Sequence, residues 1–131
     1  MKKRELLNSE ISYLISKLGH TDTIVISDAG LPIPENVQRI DLALLPGNPS
    51  LLDVLEAVLT EMEVEKVTIA SEMEIKSPEL YKKITEIFED VEIEKISHSN
   101  FKKETSRSKA VIRTGEFTPF ANVILQSGVV F

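Results

Sequence analysis

Thr23-Ile24-Val25-Ile26-Ser27, running straight into Asp28-Ala29-Gly30, is the stretch that decides the fold. Its β-branched side chains are stiff at χ1 and fit a pleated backbone, so residues 23–27 read as a buried strand that opens into a polar loop. Upstream, Ile11, Leu14, Ile15 and Leu18 recur at the spacing of one helical stripe. Asn8 or Ser9 can cap that helix, and Gly19 is expected to end it as the residue just past the C-cap. Downstream, Leu31-Pro32-Ile33-Pro34 must be extended and irregular because of its two prolines.

The same alternation continues along the chain. Residues 39–44 read as a second strand that ends at Pro46-Gly47. Ser50 and Asp53 form a capping pair for a helix whose stripe is Leu51, Val54, Leu55, Val58, Leu59 and Met62. Residues 66–70 make a third strand. Ser77-Pro78 opens a helix with Pro at its first position and Leu80, Ile84, Ile87 and Phe88 on one face. Residues 91–96 read as a strand, 99–105 as a short helix, and 109–114 as a strand into Gly115. Residues 122–131 read as a closing apolar strand or strand pair. Strands alternating with helices imply crossover connections. The expected architecture is α/β, one three-layer domain over residues 1–131, with a mainly parallel sheet of about six strands flanked by helices.

Bulk composition narrows the function. The 131 residues are 42% hydrophobic and 27% charged, an ordinary globular balance for one domain. With no cysteine there is no disulfide framework, thiol nucleophile or thiolate metal site, which suits a reducing compartment. The basic start at Lys2-Lys3-Arg4 is not followed by the apolar core of a signal peptide, and no run approaches the ~20 apolar residues of a membrane span. A cytoplasmic protein with no membrane partner is expected. The net charge of −6 argues against a nucleic-acid partner, and Lys102, Lys103, Arg107 and Lys109, mixed with Glu104, read as a solvated face. Residues 123–131 carry no charge, so they are expected in the core or, alternatively, against another subunit.

Ligands of mainly parallel sheets bind outside the carboxyl ends of the strands. Three polar loops leave such ends here: Asp28-Ala29-Gly30, Ser97-His98-Ser99-Asn100, and residues 114–122, which include Phe120-Ala121-Asn122. Together they offer a carboxylate, an imidazole, amides, hydroxyls and an aromatic face. That set suits a polyhydroxyl ligand, with amide and carboxylate on paired hydroxyls and a ring on the C–H face. The glycines of a dinucleotide loop and the Gly-x-Ser-x-Gly of a hydrolase elbow are both missing. Nothing in the spacing of the two histidines demands a metal.

The two histidines are the only side chains whose ordinary titration lies near neutrality. His20 follows a helix C-terminus, where free carbonyls and the macrodipole favour a positive imidazole, as a general acid needs. It can equally serve as a cap residue. His98 is either a ligand contact or an ordinary loop histidine, and Asp28 either binds a hydroxyl or closes its own turn.

The segments Leu18-Gly19-His20-Thr21-Asp22, residues 26–34 and residues 112–122 resemble the D-ribose pyranase family, which is related to the L-fucose mutarotases. The resemblance runs from the first helix to the last strand. It implies a cofactor-free, cytoplasmic sugar-ring isomerase that interconverts pyranose and furanose forms of D-ribose before phosphorylation by a kinase. It also implies a homo-oligomer, a decamer of two pentamers, with sites between subunits. On that pattern His20 is the proton donor. Asp28, His98, Phe120, Ala121 and Asn122 contact the sugar, with Lys102 as a neighbour. The family commonly carries Tyr at the position of Phe120, so the stacking surface is kept while a hydroxyl is lost. Mutarotation of another sugar such as L-fucose, and a non-catalytic sugar-binding role in transport, are the alternatives. The group that takes the anomeric proton is open between Asp28 and water.

Overall fold

The computed structural model describes residues 1–131. The first helix, α1 (Ser9–Ser16), starts where Asn8 Oδ1 accepts the Ile11 N–H at 2.9 Å, and it buries Ile11 and Leu14. Lys17 is its C-cap, so Gly19 is not the residue that ends it. Instead the Gly19 N–H binds Asp22 Oδ2 at 2.9 Å in a separate tight turn, and the left-handed residue there is Thr21, with φ 71°. The strands β1 (Thr23–Ser27) and β2 (Gln38–Asp41) follow. Strand β2 is shorter than its apolar continuation suggests, because the Asp41 carboxylate accepts the Ala43 N–H at 3.0 Å and turns the chain, leaving Leu44 and Leu45 exposed.

Helix α2 (Leu51–Leu59) opens with a complete capping box between Ser50 and Asp53 and buries Leu51, Val54, Leu55 and Val58. Then come β3 (Val64–Ala70), a short α3 (Glu72–Lys76) that no stripe in the sequence announces, α4 (Pro78–Ile87) and β4 (Glu92–Ile96). Helix α5 (His98–Glu104) leads through one 3₁₀ turn into β5 (Ala110–Arg113), and β6 (Val123–Ser127) closes the sheet. His98 is therefore the first residue of a helix rather than part of a loop.

The six strands are ordered β2-β5-β1-β6-β3-β4. β2, β5 and β1 are parallel, as are β3 and β4, while β6 runs antiparallel to both neighbours, β1 and β3. The sheet is mainly parallel, with one reversed strand near its middle. Pleating sends Ile24, Ile26, Ile112, Val123 and Leu125 into a core of 23 residues under α1, α2 and α4. Val25, Val111 and Ile124 face the other way, into a cluster of 6 residues around Phe101 of α5. The result is three unequal layers. Beside α5, Thr23, Lys66, Thr68, Glu94 and Gln126 of the sheet and Asn100 and Lys103 of the helix contribute to the lining of an open polar cleft.

Strand β6 ends at Ser127, and the apolar tail does not enter the core: Val130 is 85% exposed and Phe131 fully so. No helix is long and apolar enough to cross a membrane.

Candidate active site

The reversed direction of β6 builds the site. Strand β1 ends where β6 begins, so Asp28, just after one, lies beside Asn122, just before the other. The Asp28 N–H donates to Asn122 Oδ1 at 2.8 Å, and Asn122 Nδ2 donates to Asp28 Oδ2 at 2.9 Å. Asn122 is fully buried and has no alternative partner in water, so this pair of hydrogen bonds fixes the carboxylate. Asp28 Oδ1 also accepts the Gly30 N–H at 2.9 Å. The turn-closing role and the display of a carboxylate therefore coexist in one residue.

Several contacts hold the Asp28 loop to the long loop of residues 114–122. The Ala29 N–H donates to the Glu116 carbonyl at 2.9 Å, and Arg113 Nε donates to the Ala29 carbonyl at 3.0 Å. Thr114 Oγ1 donates to the Ser27 carbonyl at 2.7 Å. Glu116 carries the same framework to α2, accepting the Leu51 N–H at 3.0 Å and the Thr118 hydroxyl at 3.0 Å. Gly115 passes so close to the 45–48 turn that a Cβ there would lie 2.5 Å from two carbonyl oxygens, a position only glycine can occupy.

His98 joins the site from the end of β4. Its ring lies edge-on to Phe120, with centroids 5.0 Å apart and planes at 82°, and roughly parallel to Phe101 at 6.4 Å. Its backbone N–H donates to Glu72 Oε2 at 2.7 Å. Its Nδ1 is buried without a hydrogen-bond partner, the one such side-chain atom in the chain. Buried side-chain nitrogens without a partner are uncommon, and this one lies in a ring packed against Phe120, two residues before Asn122. Phe120 holds φ 60°, a left-handed conformation that costs a non-glycine residue energy and clusters at ligand sites. Ala121 is buried behind it. Lys102 lies on the exposed face of α5, one turn after His98.

His20 is elsewhere. It precedes β1 whereas Asp28 follows it, and the five residues of that strand separate them. At about 3.3 Å per strand residue they stand more than ~16 Å apart, at opposite ends of the sheet. The partner of His20 is a carboxylate, since its Nε2 lies 2.8 Å from Glu65 Oε2. Glu65 Oε1 in turn accepts Gln126 Nε2 at 2.6 Å. The hydrogen bond from Gln126, and then that from His20, hold the Glu65 carboxyl below its ordinary range. One copy of the chain thus brings together Asp28, His98, Phe120, Ala121 and Asn122, and leaves His20 apart. No three His, Asp or Glu side chains converge where a metal ion could sit.

Residues 1–130 match the model of the RbsD / FucU transport protein family. The chain belongs to that family. It is 57% identical to the D-ribose pyranase of Clostridium perfringens and 53% identical to that of Bacillus cytotoxicus, each over 131 residues and the whole of both chains. Its fold superposes on the structure of Bacillus subtilis RbsD complexed with D-ribose at a TM-score of 0.97, with 51% identity and complete coverage of both chains. The fucose mutarotase of Streptococcus pneumoniae, solved with L-fucose, shares the fold at a TM-score of 0.77 and 20% identity, over 97% of this chain and 96% of that one.

Three residues near these family positions escape a reading by motif: Glu65, Gln126 and Glu72. For Glu65 a signal did exist. Val64 and Val67 are both buried, three residues apart, with Glu65 and Lys66 between them. Strict strand alternation cannot bury both unless an extra residue is inserted. Glu72 acts through a contact with the His98 backbone N–H, which no side-chain pattern announces.

Proposed function

We propose that this chain, as a single domain over residues 1–131, is a D-ribose pyranase that interconverts β-D-ribopyranose and β-D-ribofuranose upstream of ribose phosphorylation. The observation that carries this reading is the full-length likeness, at 51% identity, to a chain held with D-ribose. The Asp28–Asn122 pair and the unpaired His98 nitrogen supply what a polyhydroxyl ligand needs.

Asp28, His98 and Asn122 fix sugar hydroxyls, and Phe120 and Ala121 form the apolar wall. His20, as an imidazolium, gives its proton to the ring oxygen while the anomeric hydroxyl loses one to Asp28 or a water. The bond between C1 and the ring oxygen breaks and leaves an open-chain aldehyde and a new hydroxyl. Rotation brings a different hydroxyl onto C1. It closes as the carbonyl oxygen regains a proton and His20 is recharged, so no net proton is consumed. The uncatalysed reaction already runs in water, and one positioned acid contributes typically ~10²–10⁴-fold. The cycle as drawn uses no cofactor.

Such a site needs two copies, because His20 and Asp28 lie at opposite ends of one sheet. A contact between two unlike ends is head-to-tail, and head-to-tail contacts close into rings when the rotation between copies divides a full turn. The assembly proposed is a homodecamer of two pentamers, working in the cytoplasm. Exposed Val130 and Phe131, which line the same hollow as His20, Ile15 and Leu18, provide apolar surface at that end.

Saturation-transfer NMR of D-ribose tests the activity. Faster pyranose–furanose exchange with the protein present is expected, and unchanged exchange would refute the reading. Running the same measurement with L-fucose and other pentoses ranks the substrates.

A further inference from the structure

We infer that Glu65, gripped by Gln126, is the positioning residue of the His20 acid: it selects the ring nitrogen that meets the sugar and holds the imidazolium in place. This rests on the ring-isomerase reading and adds a residue to it. The inference stands on four features of the backbone and side chains that converge on one spot.

The first is a bulge. Along the β3–β6 pairing Val64 faces Ser127 and Lys66 faces Gln126, so two steps on β3 match one step on β6 and Glu65 is the inserted residue. Bulges re-aim a side chain and are enriched beside active sites. In a regular strand the side chain of residue 65 would alternate with its neighbours. Here it meets an imidazole delivered from the turn before β1.

The second is the grip on the carboxylate. Its two oxygens are used separately, Oε1 by Gln126 at 2.6 Å and Oε2 by His20 at 2.8 Å. Gln126 is a central-strand residue, so it orients the carboxylate from a rigid element. The third is Gly128. A Cβ there would lie 3.2 Å from the Glu65 Cβ and 3.4 Å from the Glu63 Cγ, so the missing side chain lets the end of β6 press against the bulge. The fourth is Thr21, left-handed at φ 71° directly after His20. Its N–H is held by the Ser127 carbonyl at 2.9 Å, and the Ser127 N–H returns to the Asp22 carbonyl at 2.8 Å. The His20 turn is thus locked onto the same end of β6 that carries Gln126.

An exposed ion pair by itself contributes little to stability and requires none of these devices. The other charged groups nearby are engaged differently. Asp22 binds the Gly19 N–H and lies 3.5 Å from Lys109. Lys66, next along β3, pairs with Glu94 at 2.8 Å and Glu92 at 3.9 Å. Glu61, 3.4 Å from Lys2, and Glu63 line the hollow without bonding the imidazole. Only Glu65 does. With Nε2 committed to the carboxylate, Nδ1 is the nitrogen free to exchange a proton with the sugar. The depressed titration of the Glu65 carboxyl is consistent with a permanent anion behind a ring that must carry charge.

The test uses full-length protein and E65Q, E65D and Q126L variants, all on side chains at least partly exposed. D-Ribose exchange is followed by saturation-transfer NMR against pH and ribose concentration, and the His20 ring nitrogens by ¹⁵N shifts. For E65Q we expect the saturated rate to fall about 10–100-fold, the scale seen when a metal-bound histidine loses the carboxylate that orients it. Half-saturation by ribose should change little. The alkaline limb should move to lower pH, with the ¹⁵N pattern losing its Nε2–H preference. E65D should restore the limb in part, and Q126L should give a smaller loss of the same kind. An E65Q protein with wild-type rate and limb overturns the inference and leaves the pyranase reading standing. So does one that is slow only because light scattering shows its assembly lost, with limb and ¹⁵N pattern unmoved. A wild-type protein that does not accelerate exchange removes the pyranase reading and this inference with it.

Discussion

Two non-glycine residues of this chain adopt left-handed backbone, and each adjoins a proposed functional group: Thr21 follows His20, and Phe120 precedes Ala121-Asn122. Strain of order 1–3 kcal/mol per residue persists only where surroundings enforce it, so these two positions mark where precision has been kept at a cost in stability. The side chains they present differ in how much the fold depends on them. His20 is 53% exposed with one side-chain partner, so His20→Ala should leave the circular dichroism and melting temperature near wild type while ribose exchange returns to the uncatalysed rate. Exchange that stayed fast would remove His20 from the mechanism. Asn122 is the opposite case. Asn122→Asp keeps the size but sets two carboxylates about where a donor and acceptor now sit 2.9 Å apart, both against a buried wall. At pH 7 this should cost on the order of 1–3 kcal/mol in urea denaturation, as a buried group loses its partner. The penalty should shrink as the pH is lowered and one of the pair takes a proton. A penalty independent of pH would mean that the Asp28–Asn122 contact is not what the substitution breaks.

At the scale of elements, the β2–β5 edge carries an ionic clasp whose pH dependence can be signed. Asp41 and Arg113 are paired in register, and Arg113 Nη1 reaches both carboxylate oxygens at 3.0 and 3.1 Å. Burial raises the Asp41 carboxyl, but the Ala43 N–H and Arg113 outweigh it and hold it below its ordinary value of 3.8. A carboxyl depressed on folding adds stability that is complete above its unfolded value and is lost as pH falls through the folded one. Asp41→Asn should therefore reduce stability at pH 7 by under about 1 kcal/mol for a pair this exposed, read as a small drop in melting temperature. The two melting curves should converge as pH falls below 3.8; curves that stay parallel down to pH 2 would show that the clasp does not act through its charge. How far such elements were legible beforehand depended on length and period. The TIVIS strand, the Ser50–Asp53 capping box and the Leu51–Val58 stripe announce themselves, because β-branching, cap chemistry and helical spacing are local. Helix α3 spans five residues, too few to display a stripe. Gly19 reads as a helix end because glycine usually supplies left-handed backbone, yet Thr21 takes that conformation here. The reversal of β6 is set by which neighbours it pairs with, a tertiary fact, and with it came the Asp28–Asn122 pairing that no spacing in the sequence specifies.

At the scale of the whole molecule, one observation was available in the sequence and gained force only from the sheet. His20 lies before β1 and Asp28 after it, so a single copy cannot place an acid and a hydroxyl-binding carboxylate on one sugar. In the proposed chemistry every working site joins the end of the sheet where β1 starts in one copy to the end where β1 stops in another. That geometry allows a test that does not depend on resolving the assembly. His20→Ala and Asp28→Asn should each be inactive alone, because every site in such a homo-oligomer lacks one half. Dissociated, mixed in equal amounts and reassembled, they form hybrids. A site is then intact when its histidine comes from an Asp28→Asn copy and its aspartate from a His20→Ala copy. Each condition is met half the time, so about one quarter of wild-type exchange should return in a head-to-tail ring. Within a single chain no mixture could restore anything, since each copy would keep its own defect. Recovery near one quarter therefore supports shared sites, and no recovery from a mixture whose wild-type control reassembles with full activity would mean that His20 and Asp28 do not act on the same sugar.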